Sequence, residues 1–146
     1  MIEISSLQIN VVAVLIAAAA NSVLGVAWYA KLFAKPWTQE MGYDPNERPG
    51  GSARVKGLVL TGIGNLLFAW VLAFYLAGWK FLPGLAEYGP LVLGVNSALS
   101  VWIGFFLPVD LARIVWEKHS WKLFLINSGY HLAGTIIVAV IIAYGM

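Results

Sequence analysis

The chain has 146 residues, of which 60% are hydrophobic and 11% are charged, and its formal net charge is +2. Soluble domains carry about 45–50% apolar and about 25% charged residues, so a soluble fold of this length could not bury so much apolar surface. The sequence therefore predicts one membrane domain, residues 1–146, and its lack of cysteine excludes disulfide bonds and thiolate chemistry.

Four long apolar runs set the predicted architecture, and they cover residues 9–29, 57–78, 90–112 and 121–144. Each has about 20 residues or more, which is enough to cross a hydrocarbon core of about 30 Å. Because the bilayer core offers no water to the backbone, each run is predicted to be a helix. The expected fold class is an all-α polytopic membrane protein with four transmembrane helices in a bundle.

The first connection, residues 30–56, is the longest and has two parts. Phe33, Trp37 and Met41 recur at i, i+4 and i+8, which gives one apolar stripe, and the flanking lysines can contact lipid phosphates. A short interfacial helix is therefore predicted near residues 33–41. The remainder of the connection is rich in glycine and proline and is expected to be a flexible link.

The basic residues are distributed unevenly over the connections. All but Lys80 lie in the first and third connections, so the positive-inside rule predicts both of these loops in the cytoplasm and both termini outside. Because this topology accounts for the basic residues, we expect no nucleic-acid partner. We also expect no cleavable signal peptide, since residues 1–6 contain no basic segment. The basic residues of the two loops are Lys31, Lys35, Arg48, Arg54, Lys56, Arg113, Lys118 and Lys122.

Aromatic residues cluster at the predicted cytoplasmic ends of the helices. Indole and phenol rings prefer this depth, because one edge of the ring is apolar and the other can bind water. We therefore expect these rings, together with one lysine, to anchor the bundle at the inner interface. The predicted anchors are Trp28, Tyr29, Phe33, Lys35, Trp37, Trp116 and Trp121.

Small residues predict which helix faces pack against protein, because close approach of helices in lipid needs small side chains. In the second helix Gly57, Thr61, Asn65 and Ala69 follow one another at steps of four and are expected to face the bundle. Four helices alone make a bundle too thin for a wide pore. We therefore expect a homo-oligomer in the lipid bilayer.

Polar side chains inside the apolar runs form the candidate site. At 1.5 Å per residue, Asn21, Asn65, Asp110 and Asn127 lie about 9–13 Å from the predicted inner interface, and His131 lies about 15 Å from it. Each helix therefore brings a polar group into the inner half of the membrane. The candidate residues are Asn21, Asn65, Asp110, Asn127, Tyr130 and His131.

Two interpretations of this cluster stay open. In the first, its residues line a polar cavity that opens to the cytoplasm and handles a small polar solute or ion, which makes the protein transport- or channel-like. In the second, the protein is structural or accessory: His131 bonds to Asn21, Asn65 or a tyrosine hydroxyl and fixes the helix register. Asp110 itself is expected at the interface, paired with Arg113 at i+3, rather than as a buried carboxylate.

Enzymatic chemistry has less support, and a lipid-modifying enzyme is the second alternative to transport. Ser128 and His131 are spaced i, i+3, but no acid lies beside them on that helix and no oxyanion-hole loop is visible. Glu117 and His119, at i, i+2, are expected on diverging helix faces, which disfavours a metal site. We therefore expect no catalytic residues, no cofactor and no metal.

Two segments resemble a known family. The pattern Gly-x-x-Trp-Tyr begins at Gly25 and is followed by Leu-Phe-x-Lys-x-Trp, which ends at Trp37. The pattern Leu-Ile-Asn-x-Gly-Tyr-His ends at His131. Both resemble small bacterial four-helix membrane proteins of a family of unknown function, and the similarity extends over nearly the whole chain. The resemblance implies this fold and a location in the bacterial inner membrane, but it implies no activity and gives Asn65 and Asp110 no support.

Overall fold

All regular structure in the described part of the chain is helical, which confirms the predicted all-α class. Residues 1–6, for which no signal peptide is expected, lie outside the described residues. So does Arg48, one of the basic residues of the first connection. The computed structural model describes residues 8–44, 46–47, 50–85 and 87–146.

Four of the described helices are long and apolar enough to cross a membrane, so the chain is a multi-pass membrane protein with the predicted helical bundle. Compared with the predicted bounds, the second helix begins earlier and the third ends later, since neither end has a residue that stops a helix. The four helices are span 1 (Val11–Leu32), span 2 (Gly51–Trp79), span 3 (Pro90–Trp116) and span 4 (Trp121–Tyr144).

Local signals fix the ends of several spans. The side chain of Asn10 accepts a hydrogen bond from the amide of Ala13 at the start of span 1, at 3.1 Å. The hydroxyl of Ser120 accepts one from the amide of Leu123 at the start of span 4, at 3.0 Å. Each bond satisfies one of the amides that the first turn of a helix leaves unpaired.

The first and third connections lie at the same end of the bundle, which we call the basic end. A short helix, Ala34–Glu40, lies there within the predicted 33–41 range. Its last residue, Glu40, accepts a hydrogen bond from the hydroxyl of Ser120 and lies 3.6 Å from the Lys122 ammonium. These contacts attach the short helix to the beginning of span 4.

Span 4 is the central helix, because it packs against each of the other three. The apolar core lies in the half of the bundle away from the basic end, where Ala17, Leu76, Ala98 and Val138 are fully buried. At that end the Asn10 side chain also donates to the Gly145 carbonyl at 2.9 Å, which holds the ends of spans 1 and 4 together.

The basic-end half of span 2 leaves the bundle. Asn65 and Ala69 are buried as expected, but Gly57 and Thr61 are exposed. The prediction that the whole row of small residues faces protein is therefore wrong for its first half. A small side chain permits close helix contact but does not require it. This half of span 2 leaves a gap between the helices, and two cavities lie there.

Candidate functional site

A carboxylate–imidazole pair lies where span 3 meets span 4. Nδ1 of His131 lies 2.8 Å from Oδ2 of Asp110, whose side chain is only 1% exposed. The ring of Phe106 stacks on the imidazole, with ring centroids 4.7 Å apart and planes inclined by 25°. An ionised carboxylate can only accept, so the proton on Nδ1 fits this contact, and no described residue bonds to Nε2.

A π-helical turn explains why Asp110 faces inward. The buried stripe of span 3 runs through Ser97, Ala98 and Val101, and regular helical spacing would continue it at residue 105. Residues Trp102–Phe106 form a π-helical turn, which adds a residue and rotates the remainder of the helix. Asp110 thereby turns inward. Proline at 108, which has no amide to donate to the preceding turn, is the local signal of this irregularity.

The expectation that Asp110 is an interfacial residue is therefore wrong, although its predicted pairing with Arg113 is present. Oδ1 of Asp110 lies 3.3 Å from a guanidinium nitrogen of Arg113, whose side chain is 38% exposed. The one carboxylate thus contacts two groups: a partly buried imidazole through Oδ2 and a half-exposed guanidinium through Oδ1. The bond of His131 to Asn21, Asn65 or a tyrosine hydroxyl, which the structural interpretation expected, is not found among the described residues, where the ring pairs with Asp110.

A second polar group joins spans 1 and 2. The amide nitrogen of Asn21 donates to Oδ1 of Asn65 at 2.9 Å, and the amide nitrogen of Asn65 donates to the Ser22 hydroxyl at 2.8 Å. Ser22 in turn donates to the carbonyl of Ala18. This order fixes both amide orientations, because the Ser22 hydroxyl can then only accept from Asn65. Oδ1 of Asn21 is left without a partner among the described residues and lies against Gly134 of span 4.

A third contact joins spans 1 and 4 nearer the basic end. The Tyr29 hydroxyl donates to Oδ1 of Asn127 at 3.1 Å, and the indole nitrogen of Trp28 donates to the carbonyl of Ile126 at 3.0 Å. Both rings are half-buried between the helices. Whatever their depth in a membrane, Trp28 and Tyr29 hold span 1 against span 4.

The other predicted anchors are distributed around the basic end. Trp116 and Trp121 are exposed, and so is Lys35, as contact with lipid headgroups would require. Phe33 and Trp37 are half-buried against other aromatic rings. Anchoring of these residues at a membrane interface stays a prediction.

A half-open cavity of about 380 Å³ lies between the spans at the level of His131. It contains side chains from all four spans, and four of the six predicted site residues line it. Asp110 and Asn127 are not among its lining residues, because Asp110 lies behind the imidazole and Asn127 faces Tyr29. The lining includes Asn21, Thr61, Asn65, Phe106, Tyr130 and His131.

A second cavity, of about 320 Å³, lies between spans 1 and 2 nearer the basic end. Ser22, Tyr29 and Leu58 contribute to its wall. Thr61 and Tyr130 line both cavities and therefore lie between them. Sequence reasoning placed Thr61 only in a packing row, since nothing in the sequence showed that span 2 leaves the bundle there.

The other groups with potential chemistry form neither a nucleophile pair nor a metal site. Ser128 does not bond to His131, because its buried hydroxyl has no hydrogen-bond partner among the described residues. Glu117 and His119 do not diverge: Nε2 of His119 lies 3.2 Å from Glu117, since Lys118 turns the chain back with a φ of 55°. Within the described ranges, no three His, Asp or Glu side chains converge in a way that could hold a metal ion.

The model of a protein family described as "Protein of unknown function (DUF1761)" matches residues 12–143. The chain belongs to this family. The resemblance inferred from the segments ending at Trp37 and His131 is thereby confirmed, and all six candidate residues of this DUF1761 protein lie inside the matched range. No curated protein and no solved structure matches the chain.

The hydrogen bond between Tyr29 and Asn127 leads to a first test on the DUF1761 protein. Tyr29→Phe keeps the aromatic contacts but removes the donor, and we expect the free energy of unfolding to fall by about 0.5–1.5 kcal/mol. Equilibrium unfolding of the purified protein in detergent micelles measures this change. The control is Tyr43→Phe, at an exposed ring whose hydroxyl bonds to no described residue. Equal losses in both variants would contradict a role for the Tyr29 bond.

Proposed function

We propose that this membrane protein transports a small polar solute or ion and that the cavity beside His131 is its binding site. The observation that carries the proposal is an imidazole, paired with a carboxylate through Nδ1, on the wall of a half-open cavity inside helices long enough to span a membrane. An ionisable side chain within a membrane span is costly, and such residues commonly mark the path of a solute or ion.

The size and lining of the cavity indicate the kind of solute. Pockets for small ligands have volumes of about 300–1,000 Å³, and the cavity lies near the lower bound of this range. The hydroxyl groups of Thr61 and Tyr130 and the imidazole of His131 offer both donors and acceptors. A neutral or singly charged solute with a few polar atoms fits this combination better than a large apolar molecule.

The second cavity supplies an access route in this proposal. It extends toward the basic end from the position of Thr61 and Tyr130, which line both cavities. A modest movement of the Tyr130 side chain would join the two volumes. The proposed path therefore runs from the basic end, past Tyr130, to His131.

The basic end is proposed to face the cytoplasm of a bacterial inner membrane, with both termini outside. Eight of the nine basic residues lie in the first and third connections or in the helix ends beside them, and Lys80 lies in the second connection. Such an asymmetry is the usual determinant of orientation. Exposed apolar side chains on the basic-end half of span 2, including Val55, Leu58 and Val59, are proposed to contact lipid or a second copy of the chain in a homo-oligomer.

Filling the cavity is the direct experiment. A Cβ added at Gly64, which lines the cavity, would meet no atom within 4 Å, so the leucine of Gly64→Leu begins in open space beside the cavity. We expect this variant to reduce facilitated flux into proteoliposomes by about tenfold, the effect of about 1.4 kcal/mol. Stopped-flow light scattering after a gradient of urea, glycerol, glycine or ammonium chloride measures the flux.

Gly57→Leu is the matched control, because Gly57 lies on the same helix and an added Cβ also meets nothing within 4 Å. Gly57 does not line the cavity beside His131. Facilitated flux that is equal in both variants would contradict the proposed site. Wild-type proteoliposomes with no more flux than empty liposomes for every solute of the panel would contradict transport itself.

The alternative is a structural or accessory role in which the polar groups fix the helix register. The bonds from Asn21 through Asn65 to Ser22 favour it, because they connect two spans directly through protein side chains. In the structural role the Asp110–His131 pair only fixes the helix register, whereas in transport it also serves solute movement. Variants of Asp110 therefore distinguish the two functions.

A further inference from the structure

Ionisable side chains form a continuous series from the cavity to the basic end. Asp110 contacts His131 at 2.8 Å and Arg113 at 3.3 Å. Arg113 lies 3.9 Å from Glu117, and Glu117 lies 3.2 Å from His119. We propose, on the basis of the transport function above, that His131 takes up from the cavity the proton to which solute movement is coupled, and that the charges of this series stabilise the protonated ring, while Arg113 keeps its own proton.

The chemistry at His131 is a reversible protonation. In the neutral ring, Nδ1–H donates to the Asp110 carboxylate, and the lone pair of Nε2 is directed away from this bond. A hydronium ion or a protonated solute in the cavity transfers its proton to Nε2, forming an N–H bond and leaving water or the neutral solute. The resulting imidazolium is stabilised by the carboxylate on its other side.

The other neighbours of His131 leave Asp110 as the charged group in direct contact. Asn21 from span 1 and Thr61 and Asn65 from span 2 are uncharged, and they line the same cavity. Tyr130 lies beside the imidazole on span 4, with ring centroids 5.7 Å apart. From span 1, Tyr29 also lies near Asp110. From span 3, Arg113 reaches the other oxygen of Asp110 and partly offsets its charge.

The turn after span 3 brings the outer members of the series together. Span 3 ends at Trp116, and the amides of Glu117 and His119 both donate to the carbonyl of Arg113, at 3.0 and 3.2 Å. Lys118, between them, adopts the left-handed conformation. This closure folds His119 onto Glu117, whose side chain is 56% exposed. The Asp110–His131 pair thus has the cavity on one side and the charged groups of the basic end on the other.

The test uses the full chain in proteoliposomes that contain a pH-sensitive dye, with an imposed potassium diffusion potential. Proton uptake and uptake of the urea, glycerol, glycine and ammonium panel are measured in the same preparations. Asp110→Asn keeps the size and an acceptor oxygen but removes the charge. We expect Asp110→Asn to reduce proton uptake by about tenfold or more. A hydrogen bond from the protonated imidazole to a carboxylate is stronger than one to a neutral amide, so the variant stabilises the protonated ring less.

Glu117→Gln keeps the proposal testable if Asp110→Asn does not fold, because Glu117 is on the surface. We expect a two- to fivefold decrease in proton uptake, about the effect of one surface charge. Solute exchange at equal pH on both sides should be unchanged. Glu87→Gln, the same substitution at an exposed residue of the opposite connection, should have no effect.

Each outcome separates this inference from the proposed function. Solute uptake without proton uptake that depends on Asp110 and Glu117 would overturn proton coupling and leave transport standing. Proton uptake that depends on both residues, without uptake of any solute of the panel, would overturn the proposed solute function and support the proton site. Absence of both fluxes in the folded wild-type protein would overturn both.

Discussion

Replacing Asp110 with alanine is expected to lower the free energy of unfolding by about 1–3 kcal/mol, the cost of leaving a partly buried donor without its partner. Alanine removes the acceptor of the His131 Nδ1 proton, and no other described residue bonds to that nitrogen. Arg113 adds little to the loss, because its half-exposed guanidinium can turn to water. Equilibrium unfolding in mixed detergent micelles, followed by tryptophan fluorescence, measures the change.

Asparagine at the same position separates the structural function from transport. Its side-chain oxygen still accepts from Nδ1 of His131, so Asp110→Asn should lose less than about 1 kcal/mol of stability. If the pair only fixes the helix register, the folded Asp110→Asn protein should move solute like the wild type. If the pair serves transport, the same folded protein should lose flux. Asp44→Ala, at an exposed aspartate, is the stability control. If Asp44→Ala lost as much stability as Asp110→Ala, the role of Asp110 as the acceptor of the His131 proton would be contradicted.

The fold could be predicted because many residues in each span indicate a membrane helix, so no single residue decides the assignment. Each span contains many apolar residues, and a few polar ones do not change the sum, so hydropathy alone finds all four helices. The segment Trp121–Tyr144 remains clearly apolar although it contains Asn127 and His131. Depth along a helix follows from counting residues, and for this reason the candidate residues were placed at one level of the membrane.

The partners of those residues could not be predicted, because they depend on rotation rather than on depth. A single π-helical turn at Trp102–Phe106 changes which side of span 3 faces the bundle. The pairing with Arg113 led to the expectation that Asp110 is not a buried carboxylate, whereas its side chain is buried behind His131. Proline at 108 marked span 3 as irregular, but it did not show in which direction the helix would rotate.

The cavity could not be predicted either, since it depends on where span 2 leaves the bundle. Thr61 and Asn65 are four residues apart and lie on one face, yet only Asn65 is buried. The neighbouring helices decide whether this half of span 2 packs against the bundle or leaves it, and the row of small residues does not. Side chains that line a gap therefore carry the same sequence pattern as side chains that fill a contact.

A close backbone contact between spans 3 and 4 leads to the second large prediction, in which Gly94→Ala separates these two helices. A Cβ added at Gly94 would lie 2.8 Å from Cα and 3.0 Å from the amide nitrogen of Val140. Backbone atoms cannot turn aside as a flexible side chain can, so the two helices must move apart. We expect the free energy of unfolding to fall by about 1–3 kcal/mol, as overpacking of a tight core does.

Gly57→Ala is the control, because it is expected to raise the free energy of unfolding, whereas Gly94→Ala is expected to lower it. Gly57 is an exposed residue inside span 2, and an added Cβ meets nothing within 4 Å. Alanine in the interior of a helix is favoured over glycine by about 0.5–1 kcal/mol, so this variant should be slightly more stable than the wild type. Unfolding of both variants under identical conditions tests the contact. A general effect of replacing glycine with alanine would change the free energy of unfolding of both variants in the same direction. A Gly94→Ala protein as stable as Gly57→Ala would show that spans 3 and 4 do not pack through Gly94.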